Sequence, residues 1–290
     1  MIYFYEHKSG AFNTQTELDF GGYQGVYEFA SARGMSPSKL FADIQKLEAE
    51  IKNLNGAQFD FSKGSNLELL NRWVDRYAWY FNNHAKHDKQ AYVLIGNIAS
   101  GKNTYAKEIE QETGSIIVDP DRFKMGEETS HGFFEGFTSL YHEPTDREQM
   151  QGICAEACKQ TLKNISDQGM NLILPKAASS LEKLEKQLEC LTKNGYDIHL
   201  ILFDTPVKEC VNRSYLRYLV KEYNMNYHSN GSKEHGRFVP KSVTVSIGDS
   251  PFTTFAKALN KSGTFASYKA FHNDRFKQSE EIDLNTMIIE

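Results

Sequence analysis

AYVLIGNIASGKNT, residues 91–104, decides how the rest of the chain is read. Residues 91–95 are an apolar run containing β-formers, and they lead straight into Gly96-Asn97-Ile98-Ala99-Ser100-Gly101-Lys102. The next residues, 103–113, read as a helix. A strand, a glycine loop and a helix in that order are the context in which G-x-x-x-x-G-K cradles phosphate. Two glycines let the loop wrap with its N–H groups turned inward as an anion nest. The following helix adds its positive end, and Lys102 adds a point charge for the β- and γ-phosphates. The whole loop, Gly96 to Thr104, is therefore the predicted nucleotide-binding segment, a relaxed Walker A motif. One position departs from the pattern. The magnesium-holding Ser or Thr is expected at 103, where this chain has Asn103, and Thr104 comes one place late. Asn103 and Thr104 are the two candidate metal-holding residues.

Composition bounds the other functions. The chain has 290 residues, 40% hydrophobic and 24% charged, as in an ordinary globular protein of one large or two modest domains. A net charge of −5 gives no general attraction to nucleic acid or anionic membrane, so any anion site is local. No apolar stretch approaches the roughly 20 residues that span a bilayer, and the start MIYFYEHKSG does not read as a signal peptide. Cys154, Cys158, Cys190 and Cys210 lack a second pair at metal-ligand spacing and read as reduced thiols of a cytoplasmic protein.

The pattern changes near residue 89. Before it, the chain reads as a helical extension, residues 1–88. Ser36-Pro37 starts one helix, whose stripe of Leu40, Ile44, Leu47, Ile51 and Leu54 ends at Asn55-Gly56. A second helix is expected over residues 65–87, with Leu70, Trp73, Tyr77 and Phe81 as its stripe; His84 and His87 read as solvated, and residues 86–90 as a polar join. From 89 to 290, strands expected at 91–95, 115–118, 171–174, 197–203 and 268–271 alternate with helices at 103–113, 144–168, 179–194 and 251–261. Gly114, Gly169 and Gly195 sit where helix C-caps precede strands. That alternation predicts an α/β fold, a parallel sheet with helices on both faces.

Ligands in such a sheet bind at the carboxyl ends of the strands. Two groups fall there. Asp119-Pro120-Asp121 follows the strand 115–118, expected beside the phosphate-loop strand, where a carboxylate could take the proton of an attacking hydroxyl; an Asp-Pro-Asp turn serves equally as a helix cap. Arg213, Arg217 and Lys221, four residues apart, line one helix face. With Lys233, Arg237 and Lys241 they form a basic set around the polar stretch HSNGSKEH, residues 228–235, as a phosphate lid would.

Together GNIASGKNT, IIVDPDRFK, SDQGMNLIL, GYDIHLILFDTP, NRSYLRY and GRFVP, in this order, make residues 91–273 resemble the zeta-toxin kinases of bacterial toxin–antitoxin systems. The resemblance implies a P-loop kinase-like fold, ATP with Mg2+, and phosphorylation of a hydroxyl on a small acceptor, a UDP-linked amino sugar. It implies that Lys102 holds phosphate, that Asp121 is the base, and that Arg217 and Arg237 stabilise the transferring group. It also implies an antitoxin partner, or inhibition in cis by residues 1–88, a segment that serves equally as a scaffold or a partner-binding piece. Where the family commonly has Glu-Gly-Thr to hold the acceptor, this chain has Pro175-Lys176-Ala177. Two other readings stay open: a catalytically weak nucleotide-binding interaction protein, and a polynucleotide kinase, against which the acidic charge argues.

Overall fold

The computed structural model describes residues 24–53, part of 64–77, 85–125, 127–129, 132–134, 151–223, 238–261, 265–273 and 280–281. In chain order the elements are α1 (Gln24–Ala32), α2 (Pro37–Asn53), β1 (Gln90–Gly96), α3 (Lys102–Thr113), β2 (Ile116–Ile117), α4 (Pro120–Met125), β3 (Glu127–Thr129), β4 (Gly132–Phe134), α5 (Gln151–Asp167), β5 (Leu172–Lys176), α6 (Leu181–Lys193), β6 (Asp197–Asp204), α7 (Val207–Tyr223), α8 (Lys241–Ile247), α9 (Ser250–Leu259), β7 (Ser267–His272) and β8 (Glu280–Glu281).

The main sheet runs β2-β5-β1-β6-β7-β8, parallel except for the antiparallel β7–β8 pair. All five expected strands are present. Strand β1 explains its own place: Val93 and Ile95 bury on one face and Leu94 on the other, so the strand needs helices on both sides. The C-cap glycines also behave as read, with φ of 65° at Gly114, 69° at Gly169 and 69° at Gly195.

The order corrects one expectation. The strand before Asp119 does not lie beside the phosphate-loop strand; β5 lies between them, bonded to β1 on one side and β2 on the other. The reason is burial. Leu172, Ile173 and Leu174 are fully buried and call for a neighbour on each edge, whereas β2 is only Ile116–Ile117 and suits the edge of the sheet.

The amino-terminal residues divide between two cores. Helix α2 begins as read, with Ser36 Oγ accepting from Lys39 N at 3.4 Å. Val26, Phe29, Ala30, Leu40 and Ile44 pack with Val211, Tyr215, Leu219 and Phe238. The described residues of 64–77 are helical, and Leu70, Val74 and Tyr77 join the main core under the sheet. Tyr77 stacks on Phe123 at 4.6 Å and donates to Ile117 O. Residues 85–87 are not helical, so the helix expected over 65–87 ends earlier; Trp73, Phe81 and His84 lie outside the described residues. The polar join is wired to the sheet's amino edge, with Lys86 N donating to Gly114 O at 3.0 Å and Asn171 N to Lys86 O at 2.7 Å. His87 is exposed, its Nδ1 3.1 Å from Gln168 O. The four cysteines are free thiols. No helix among the described residues is long and apolar enough to cross a membrane.

Candidate active site

The loop between β1 and α3 needs its glycines for two different reasons. At Gly96 the reason is space: a Cβ would lie 2.6 Å from Ser100 Oγ and 2.8 Å from Phe203 O. At Gly101 it is both backbone and space, with φ at +101° and a would-be Cβ 2.3 Å from Asn273 Nδ2. Ala99 also sits in the left-handed region, at φ 57°. A non-glycine residue rarely does so, and such strain clusters at ligand clamps.

Lys102 folds back into this loop. Its ammonium donates to Gly96 O at 2.7 Å, Asn97 O at 2.6 Å and Ser100 Oγ at 3.2 Å. Burial pulls its pKa from the ordinary 10.5 down to about 8. Cys210 and Asp119 oppose the fall, Arg217 adds to it, and Asp121 opposes it. Lys102, Asp121 and Arg217 thus share one electrostatic neighbourhood although they come from three elements.

Asp119, buried at the end of the β2 segment, caps α4 by accepting from Asp121 N at 3.0 Å. Its other oxygen accepts from Asn103 Nδ2 at 3.3 Å. The residue at the magnesium position is therefore tied to a carboxylate from the neighbouring turn. Thr104, one place on, is exposed, and its N–H donates to Gly101 O at 3.1 Å. Asp121 itself stands in the first turn of α4, half-buried. The turn is fixed from behind by Arg122, which forks onto Glu110 of α3 at 2.9 and 2.8 Å.

Of the basic set, Arg217 is half-buried and Arg213 binds Glu209 on its own helix at 2.7 Å. Arg237, Lys233 and residues 228–235 lie outside the described residues. Pro175 and Lys176, where the resemblance leads one to expect Glu-Gly, end β5 between the loop strand and the Asp119–Asp121 turn.

Several residues that hold the site were not foreseen. Asn273 Nδ2 and Thr205 Oγ1 both donate to Ser100 O, at 2.7 and 3.2 Å, pinning the loop to the ends of β7 and β6. Asn97 Oδ1 accepts from Ile98 N at 2.7 Å, while its Nδ2 donates to Thr244 O and Gly248 O at 3.1 Å each, gripping the end of α8. A polar residue just beyond a strand's carboxyl end was the available signal for Thr205 and Asn273.

A parallel sheet in this order, with a glycine loop closing on a buried lysine at the end of its central strand, defines a P-loop kinase-like α/β protein. The chain belongs to the Zeta toxin family, whose model matches residues 75–275. No curated protein matches the sequence. Among solved structures it is similar to one from the PezAT chromosomal toxin–antitoxin system of the human pathogen Streptococcus pneumoniae, at 16% identity and TM-score 0.47, covering 73% of this chain and 78% of that one. It is also similar to the AvrRxo1-ORF1:AvrRxo1-ORF2 complex with sulphate ions (16% identity, TM-score 0.48) and to that complex with ATP (16%, 0.47). In both cases the match covers 75% of this chain and 64% of that chain's length.

Proposed function

We propose that the protein is an ATP-dependent kinase that phosphorylates a hydroxyl of a small metabolite, with a UDP-linked amino sugar as the first acceptor to test. The single observation that carries this reading is Lys102, buried in the glycine loop with its ammonium on Gly96 O, Asn97 O and Ser100 Oγ, while the next residue, Asn103, bonds to Asp119 of the Asp119–Asp121 turn. Loop N–H groups and Lys102 would hold the β- and γ-phosphates. Asp121 would take the proton as the acceptor oxygen forms its bond to the γ-phosphorus; the bond from that phosphorus to the β-bridging oxygen breaks, and ADP leaves. Arg217 and Arg237 would meet the charge on the transferring group.

The donor set suits magnesium. A hard cation takes oxygens, commonly one or two carboxylates plus substrate phosphates. Asp119 supplies a carboxylate, and Asn103, whose amide nitrogen donates to it at 3.3 Å, carries an amide oxygen as well; these two, with Thr104 as the further candidate, would hold a Mg2+ that neutralises phosphate charge. As a member of a toxin family, the protein would also have a cognate antitoxin.

The test is incubation with γ-labelled ATP and a metabolite extract, followed by identification of the labelled product, with Lys102→Ala and Asp121→Asn as controls. A labelled small alcohol formed by wild type alone supports the reading. ATP binding with no transfer to any acceptor would leave the interaction-protein reading in its place.

A further inference from the structure

Helix α7 carries the arginine face, and the amino-terminal helices lie on its back. Val211, Tyr215 and Leu219, four apart, are buried against Val26, Phe29, Ala30, Leu40 and Ile44. Arg217 is two residues from Tyr215, hence about 200° around the helix, off the face on which Tyr215 is buried. Arg33 Nη1 donates to Tyr223 O at 3.4 Å, closing the far end of the same helix.

One carboxylate joins the two layers. Glu48 of α2 accepts from Tyr215 Oη, and from Lys241 N at 2.8 Å. Lys241 is the first residue of α8, whose N-cap, Pro240, offers no side-chain bond of its own. The other end of α8 is the one Asn97 grips from the phosphate loop. A continuous set of polar bonds therefore runs from α2 through α7 and α8 to the nucleotide loop.

We propose that Glu48 is a positioning residue for phosphoryl transfer: it fixes α7 against α8, and through α7 the arginine face. The inference rests on the kinase reading above. On it, the extension is a buttress that transfer requires, not a restraint, because its contacts lie on the face of α7 that carries Val211, Tyr215 and Leu219 and not on the one that carries Arg217. Ground-state nucleotide affinity, held by the loop itself, changes little when Glu48 is lost; the orientation of the arginines does.

The experiment uses the full chain with Glu48→Ala, Glu48→Gln and Glu48→Lys. Single-turnover consumption of ATP, with water or the extract as acceptor, is read beside the ATP dissociation constant, the melting temperature and hydrogen exchange over residues 207–223. Glu48→Ala is expected to lower the transfer rate by about 10- to 100-fold with ATP affinity held within about threefold, since small misplacement of catalytic groups costs up to that much. Glu48→Gln keeps an acceptor oxygen for Tyr215 and Lys241 and restores most of the rate; Glu48→Lys does not. Exchange over 207–223 rises in the Ala and Lys variants only. A lower melting temperature with an unchanged rate overturns the proposal, and so does a faster rate, which would mean restraint. If wild type consumes no ATP, the kinase reading falls by itself. In that case the role in transfer falls with it, and exchange over 207–223 in Glu48→Ala decides only whether Glu48 fixes α7: unchanged exchange overturns that, and increased exchange upholds it.

Discussion

Raising the pH should weaken nucleotide binding, by an amount that Lys102 sets. Burial brings the lysine from 10.5 to about 8 in the free protein. Phosphates placed against it favour the ammonium and return its pKa to the ordinary range or above. Above pH 8 the free protein has largely lost this proton, and binding must take it back. Affinity should then fall about tenfold per pH unit between 8 and 10, because each pKa unit is worth about 1.36 kcal/mol. At pH 9 roughly nine-tenths of a proton should be taken up per nucleotide bound, by the same equilibrium. Cys210, the nearby thiol, is pushed up to about 12 by burial and does not titrate in this window. The sign for stability is the reverse. Between pH 8 and 10.5 the unfolded chain holds a proton that the folded chain has released, so this group makes the free protein more stable as pH rises. Calorimetric titration with a non-hydrolysable ATP analogue at pH 9, in two buffers of different ionisation enthalpy, measures the uptake. Zero uptake with flat affinity from pH 7 to 9.5 refutes the reasoning. So does uptake that survives Lys102→Arg.

Asp121→Asn should cut single-turnover transfer by about 10² to 10⁴ with ATP affinity little changed, the usual worth of a positioned base; wild-type transfer in the mutant moves the base elsewhere. Gly101→Ala forces a side chain into a φ of +101° and against Asn273, so ATP binding should be lost in a protein that melts earlier, and calorimetry showing normal affinity would contradict the fit of the loop. Tyr77→Ala, at a fully buried ring stacked on Phe123, should cost about 3–5 kcal/mol in urea unfolding. Tyr77→Phe leaves Ile117 O without its donor and should cost about 1–3 kcal/mol; a neutral Tyr77→Ala would show that residues before 88 are dispensable to the core.

The sheet was legible because its signals are local. Alternation of apolar runs with amphipathic helices, and glycines at Gly114, Gly169 and Gly195, mark strands and caps within windows of a few residues. Strand order is not local. Nothing within Ile116–Ile117 says that Leu172–Lys176 will slide between it and Gln90–Gly96; that depends on comparing the burial needs of segments some 55 residues apart. The same distinction runs through the site. The phosphate loop reads directly, because its glycines and lysine are a chemical requirement in sequence order. Thr205, Asn273 and Thr244 act on the loop through single polar contacts from 105, 173 and 147 positions away, which no spacing rule reaches.

Those long-range contacts bear on how the amino-terminal helices should be understood. A stripe such as Leu40, Ile44 and Leu47 states only that a helix must cover its apolar face, not what covers it. Leu40 and Ile44 are buried in the same core as one side of α7, Leu47 packs against that core, and Tyr77, further along, enters the core beside Phe123. A segment that could be released intact would be expected to keep its own core and touch the rest of the protein through polar surface. Here the apolar surfaces are shared, and the polar link at Glu48 is the point where α2, α7 and α8 meet. Removing such a segment exposes Val211, Tyr215 and Leu219 together, so the arginine helix would lose its support at the same moment as it lost its cover. A partner that acts on this protein by gripping α1 and α2 would therefore be acting on the orientation of Arg217.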